Sequence, residues 1–408
     1  MRIGRSGLRA ATTALVCGMV LLGACASNDG GSIGDGPGST ARRTAEPGVT
    51  RWRVTEASPE PESLVADARG AVAFGRRGEG SAYDRRGNEQ WRVNVAGPTG
   101  RTVESVGLGV GLVVVPVSEE AGGSRIVALD RSSGAERWTV PFTDVRAVAA
   151  GSTVAGATPA ESTAAGSGVV AVVTATGVVS LLAATDGTLL ASESLAVGAL
   201  PYVPQVYVEA GVVIVAWTDD GGSRLRAIDA STGATLWGWT GALLGSAPGF
   251  TDDALIVVEN TEIDGDRVHA VARRLDLASG VEQWARPVDG VFLPSTPVAV
   301  SGNLAVLVDA YGTLTGLDVG AGSLRWRRTT DLTQYEATPW IVGDVVAMTT
   351  NGTGLITLAA GTGIPVPNDL PAPVQTTVSI EGSAASAGSL LLLVRRPAGE
   401  GELWWLRA

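Results

Sequence analysis

The chain has 408 residues, a formal net charge of −11 at pH 7, one histidine, two cysteines and only arginine as its basic residue. Without lysine there is no Gly-rich phosphate loop ending in Lys, and one histidine with two cysteines gives no zinc site built on several of them. The acidic balance argues against nucleic acid and anionic lipid headgroups as partners.

Taken from the N-terminus, Arg2, Arg5 and Arg9 precede an apolar run from Ala10 to Leu22, and Leu22-Gly23-Ala24-Cys25 follows. A basic start, a short apolar stretch and small residues at its end mark 1–24 as a secretory leader rather than a spanning helix. Leu-Gly-Ala-Cys resembles the bacterial lipobox, which implies diacylation of Cys25 and anchoring on the extracytoplasmic face of the cell membrane. Ordinary cleavage after Ala24-Cys25-Ala26 is the competing reading. Cys17 leaves with the leader, so no disulfide is expected. Residues 25–48, rich in Gly, Ser, Pro, Asp and Thr, are expected to be a disordered tether. Such a segment reaches about 25–30 Å on average and roughly 85 Å when extended.

From residue 49 onward one phrase recurs: an aliphatic pair, Asp, a short turn closing on Gly, then Trp. It appears as Ala128-Leu129-Asp130…Gly134…Trp138, Ala227-Ile228-Asp229…Gly233…Trp237, Leu275-Asp276…Gly280…Trp284 and Leu317-Asp318…Gly322…Trp326. Tyr83-Asp84…Gly87…Trp91 has a shorter turn, and Gly187 and Gly363 mark copies with Ala191 and Pro367 at the Trp position. Period-two alternation before the Asp predicts a strand, the Asp carboxylate and a positive-φ Gly predict a tight turn, and the Trp lies on the outgoing strand. Its large face is expected to pack on the next unit. Two further apolar runs precede each phrase, such as Pro297–Val300 and Leu304–Val308, which makes four strands per unit.

The turn glycines are 47, 53, 46, 47, 42 and 41 residues apart, close to the ~40–50 of a four-stranded propeller blade. Gly401–Arg407 reads as a third strand without a successor, and Val49–Val54, with Trp52, as a fourth strand without a predecessor. Pairing the two closes a ring and hides both sheet edges. The predicted fold is all-β: an eight-bladed β-propeller of four-stranded blades over 49–408, closed by an N-terminal strand that completes the last blade. The phrase resembles the Trp-docking repeat of PQQ-like propellers, a family that includes quinoprotein dehydrogenases and BamB-type outer-membrane assembly factors. The resemblance covers about Arg51 to Arg407 and implies a propeller with docking residues Trp52, Trp91, Trp138, Trp237, Trp284 and Trp326.

Catalytic chemistry finds little support. His269 sits near the start of a third strand, where a structural or solvated role competes with a triad. Quinoprotein relatives often carry adjacent cysteines beneath the cofactor and Glu, Asn and Asp around a calcium. This chain has no cysteine pair, no matching calcium motif, and a Trp404-Trp405 pair placed within a strand. No cofactor and no metal are expected, and Asp264-Gly265-Asp266 matches a calcium loop only in part.

Carboxylates remain. Asp219-Asp220, Glu259 with Glu262, Asp264 and Asp266, Glu119-Glu120 and Asp309 are expected between second and third strands, at the end where the loops leading into each blade also lie. Solvated loops on an acidic protein and a convergent partner face are both open readings. Tyr311, Tyr335 and Trp340 are placed near that face, where aromatics beside carboxylates suit recognition. The 152–166 insertion reads as a polar loop. The expected function is a monomeric, non-enzymatic, membrane-anchored scaffold for an envelope protein or peptide. A quinoprotein-type dehydrogenase and a sensor for a small molecule or cation are the alternatives.

Overall fold

The computed structural model describes the backbone of residues 44–46, 49–53, 61–67, 69–96, 101–102, 106–119, 123–152, 168–195, 200, 202–264, 267–294, 296–330, 337–350, 354–366, 379–386, 389–395 and 401–407. Expectations for the leader, Cys25, most of the tether, the 152–166 insertion beyond Ser152, Glu120, Asp266 and Tyr335 lie outside the described residues, as do those for the side chains of Trp52, Trp404 and Trp405. Everything described is strand, turn or loop, arranged as antiparallel sheets that follow one another along the chain.

The fourth sheet shows the plan: Gln205–Glu209, Val212–Asp219, Gly222–Asp229 and Thr235–Gly241 pair in sequence order. Its second strand, Val-Val-Ile-Val-Ala-Trp-Thr-Asp, is apolar on both faces and buried along most of its length. The outer strand alternates, exposing Thr235 and Leu236 while burying Trp237. Both follow from position, since an inner strand is covered by a sheet on either side and an outer strand by only one. Core clusters accordingly bridge consecutive sheets. Val213, Val215 and Trp217 pack with Ala171, Val173 and Leu181 of the sheet before, while Ile214 and Leu225 pack with Leu255 and Val257 of the sheet after.

The repeated phrase performs as its chemistry dictates. Asp229 Oδ1 accepts from the backbone N–H groups of Ser231 (3.0 Å) and Thr232 (2.7 Å), and Gly233 takes φ +72°. A bulge between Ala227 and Ile228 supplies the extra residue that lets the hairpin turn there. Docking of Trp on the next unit is general among the described copies. The indole Nε1 atoms of Trp91, Trp138, Trp237, Trp284 and Trp326 donate to the carbonyls of Arg131, Ala184, Leu277, Val319 and Ala360, at 2.7–3.0 Å. Each ring lies flat against the turn glycine of that next unit, where a Cβ on Gly280 would fall 2.6 Å from Trp237 Cδ2. Where Ala191 replaces the Trp, Gly233 moves in until its Cβ would stand 2.1 Å from the Ala191 methyl.

Three features differ from the expected plan. The sheet containing Gly363 has three strands among the described residues, and beyond them an isolated bridge joins Leu358 to Pro365. Strand Thr44–Glu46, inside the span expected to be tether, pairs with Val49–Arg53. Strand Ala254–Asp264 runs well past its expected end and carries Glu259, Glu262 and Asp264, which were expected in a loop. At the chain ends, Val49–Arg53 pairs antiparallel with Gly401–Arg407, Trp52 opposite Leu403. Strand Pro61–Asp67 lies against Ser379–Ser386 of that same sheet.

Candidate functional site

In an antiparallel sheet with strands in sequence order, the connection from second to third strand and the loop leading into the first strand share one end. At that end of the fourth and fifth sheets lies an open cleft of about 220 Å³. Tyr202, Val203 and Gln205 reach it from the loop leading into the fourth sheet, and Trp217 and Thr218 from the end of its second strand. Leu243, Leu244 and Ser246 come from the start of the fifth sheet, and Pro294 from the loop leading into the sixth.

Local bonds hold these walls. Leu244 N donates to Ser223 Oγ at 2.7 Å, fixing the fifth sheet's first strand against a fully buried serine. Gln205 Nε2 donates to Pro294 O at 3.3 Å, and Tyr207 Oη donates to Gln205 Oε1 at 3.0 Å. Burial pushes the Tyr207 phenol far above its ordinary range, so it stays a neutral donor, and its ring tilts against Phe250 at a centroid distance of 4.9 Å. Outside these bonds the rim is bare: Tyr202 is 67% exposed, Val203 66% and Leu243 45%.

The carboxylates read from sequence separate into distinct roles. Asp219 accepts from Arg224 Nε (3.1 Å) and from Gly221 N (2.8 Å), and the Arg224 bond foremost holds its carboxyl below the usual range. Asp220 is exposed beside it and has no ion pair among the described residues. Glu259 is a correction: it is only 6% exposed, lies within a strand, and accepts from Ala242 N and from Arg273 Nε at 2.8 Å. It ties the fourth sheet's last strand to the fifth sheet and offers nothing to a partner. Glu262 and Asp264 pair in register with His269 and Arg267, and their side chains lie outside the described residues.

Asp309 does lie between second and third strands, yet it is buried, and its Oδ1 accepts from Tyr311 N (2.9 Å) and Thr313 N (2.8 Å). It shapes the turn that presents Tyr311, which is 63% exposed. Glu119 pairs with Arg125, and Trp340 is half-buried on strand Ala337–Val342. His269 is exposed, and among the described residues no hydrogen bond reaches its ring. No group of three His, Cys, Asp or Glu side chains able to hold a metal occurs among the described residues. No described helix is long and apolar enough to cross a membrane.

Sequence reasoning missed the cleft. Its one signal was Pro201-Tyr202-Val203-Pro204 and Leu243-Leu244, large apolar residues at positions the repeat register assigns to loops.

The family model described as outer membrane protein assembly factor BamB matches residues 76–190, 122–290 and 268–401. Among solved structures, BamB from Moraxella catarrhalis superposes with a TM-score of 0.59 at 18% identity, over 84% of this chain and 92% of that one. The computationally designed Ika8 protein superposes with a TM-score of 0.60 at 14% identity, over 86% and 98%. No curated protein sequence matches the chain.

Proposed function

Because the chain belongs to the PQQ-like repeat family described as outer membrane protein assembly factor BamB, we propose that it is a non-enzymatic scaffold. It is held at the extracytoplasmic face of the membrane through Cys25 and binds an envelope protein or peptide through its loop face. The observation that carries this reading is the exposed group Tyr202, Val203 and Leu243 around a concavity. Large apolar side chains left bare together at a cleft mark an interaction site more than scattered ones do. The solvated His269 and the structural engagement of Glu259, Asp309 and Asp219 support a binding role over a catalytic one.

The scaffold is an eight-bladed propeller in this reading, with Val49–Arg53 supplying the last blade's fourth strand. Support comes from the pairing of that strand with Gly401–Arg407 and from the contact of Pro61–Asp67 with Ser379–Ser386. Such closure leaves no long open edge and gives loops a rigid base. The test is quantitative co-purification after cross-linking of the tagged full chain in its own envelope, wild type against Val203→Glu/Leu243→Glu. A protein partner held by wild type and lost from the double variant is expected. A partner profile identical in both would overturn the loop-face reading.

A further inference from the structure

Resting on that scaffold reading, we propose that the cleft between the fourth and fifth sheets is an anchor pocket. It takes one large apolar side chain of an extended peptide that carries a basic residue beside the anchor. Size sets the class of occupant. At about 220 Å³ the cleft lies below the roughly 300–1,000 Å³ of sites that enclose small-molecule ligands. That volume suits a single large side chain. Val203, Leu243, Leu244 and Pro294 supply apolar walls, and aromatic or aliphatic anchors in such pockets dominate peptide recognition.

The cleft also has unmade bonds. Ser246 is 4% exposed and its Oγ has no hydrogen bond; Trp217 is 6% exposed and its indole N–H has none of normal geometry. The Asp219 carboxylate lies near that indole. Buried polar groups in native proteins are nearly always satisfied, so these two in the cleft wall are positions that water or an incoming peptide group can occupy. A peptide backbone offers a carbonyl for the indole N–H and either partner for the hydroxyl.

Charge selects the flanking residue. The strand end runs Trp217-Thr218-Asp219-Asp220, and Arg224 already engages Asp219. Asp220, next in line beyond the cleft wall, has no ion pair among the described residues and stands ready for Arg or Lys on the peptide. The walls are fixed beforehand by the Gln205–Pro294 and Ser223–Leu244 bonds, so little order is lost on binding.

The test uses the full chain and a dye-labelled octapeptide with one Phe between two Arg in a Gly/Ser background, followed by fluorescence anisotropy. Saturable binding below about 1 mM is expected, at least tenfold weaker for the Phe→Ala peptide and for the Val203→Ser and Leu243→Ser chains. Replacing both Arg of the peptide by Glu, or Asp220→Asn in the chain, should weaken it about three- to tenfold. Leu324→Ser, on an outer strand distant in sequence from the cleft, serves as the control and should leave binding unchanged. No saturation, or equal binding by the Phe and Ala peptides, overturns the inference. If the envelope partner is nonetheless lost from the Val203→Glu/Leu243→Glu chain, the scaffold reading survives and only the anchor chemistry falls. Self-association of the chain that Val203→Ser abolishes, with no peptide bound, would assign the patch to a second copy instead.

Discussion

The Trp–Gly contact between successive sheets yields the sharpest stability prediction. Trp237 is 8% exposed, donates to Leu277 O at 2.9 Å and covers Gly280. Trp237→Ala removes a buried aromatic and orphans the Leu277 carbonyl, which costs about 3–5 kcal/mol. Trp237→Phe keeps most of the ring contact and loses the bond, for about 1–3 kcal/mol. Unfolding of the Ser39–Ala408 unit carries an entropy of about 0.8 kcal/mol/K. The alanine variant therefore melts about 4–6 °C lower by scanning calorimetry. Gly280→Ala suffers twice: it must hold φ +69° with a Cβ, and that Cβ would stand 2.6 Å from the indole. The left-handed backbone alone costs about 1–2 kcal/mol, and the clash adds to it. In the Trp237→Ala background only the backbone cost remains, so the two substitutions couple by about 1–3 kcal/mol. Equal cost of Gly280→Ala in both backgrounds would refute the docking argument.

Three further outcomes are expected. Deleting residues 49–53 strips the pairing along Gly401–Arg407; the melting temperature should fall by several degrees and the exposed edge should promote aggregation, whereas an unchanged transition contradicts closure by that strand. Glu209 is exposed at the end of its strand, yet the protein packed around it, then the Asp252 charge, push its carboxyl up to about 7 from 4.5. Between those values the folded chain binds the extra proton, so this group's contribution is greatest below pH 4.5 and is lost as pH rises through 7. Glu209→Gln should flatten that part of the melting-temperature profile, and a slope equal to wild type would contradict the assignment. Cys25→Ala should move the protein from the membrane fraction to the soluble fraction; retention in the membrane would require a different anchor.

The repeat was legible because each of its parts acts over a few residues. Asp accepts from N–H groups just ahead of it, Gly takes the positive φ that closes the turn, and the Trp follows at fixed distance. The vacant position at Ala191 was legible too, though not the closer approach of Gly233 that fills it. The extent of strand Ala254–Asp264 was not, because Asn260-Thr261-Glu262 is polar, and only a register slip between Asn260 and Glu262 carries the pairing outward. Asp309 shows a local signal overlooked: Asp309-Ala310-Tyr311-Gly312 is the same Asp-capped turn as the shorter Asp84 copy, whose Oδ1 accepts from Arg86 N and Asn88 N, with Gly312 at φ +78°. The cleft was hidden for the opposite reason. Val203, Trp217, Leu243 and Pro294 come from separate loops and strands, and only the packing of adjacent sheets brings them together.

Whether the loop face holds a protein partner is measured directly by site-specific photo-cross-linking in the native envelope. A benzophenone side chain placed at Tyr202, Tyr311 or Leu324, each already exposed, leaves the fold intact. The predicted result is one reproducible protein adduct from Tyr202, a weaker one from Tyr311, and none from Leu324 on the outer strand. Adducts from Leu324 with none from Tyr202 would contradict it and move the binding surface to the outer strands.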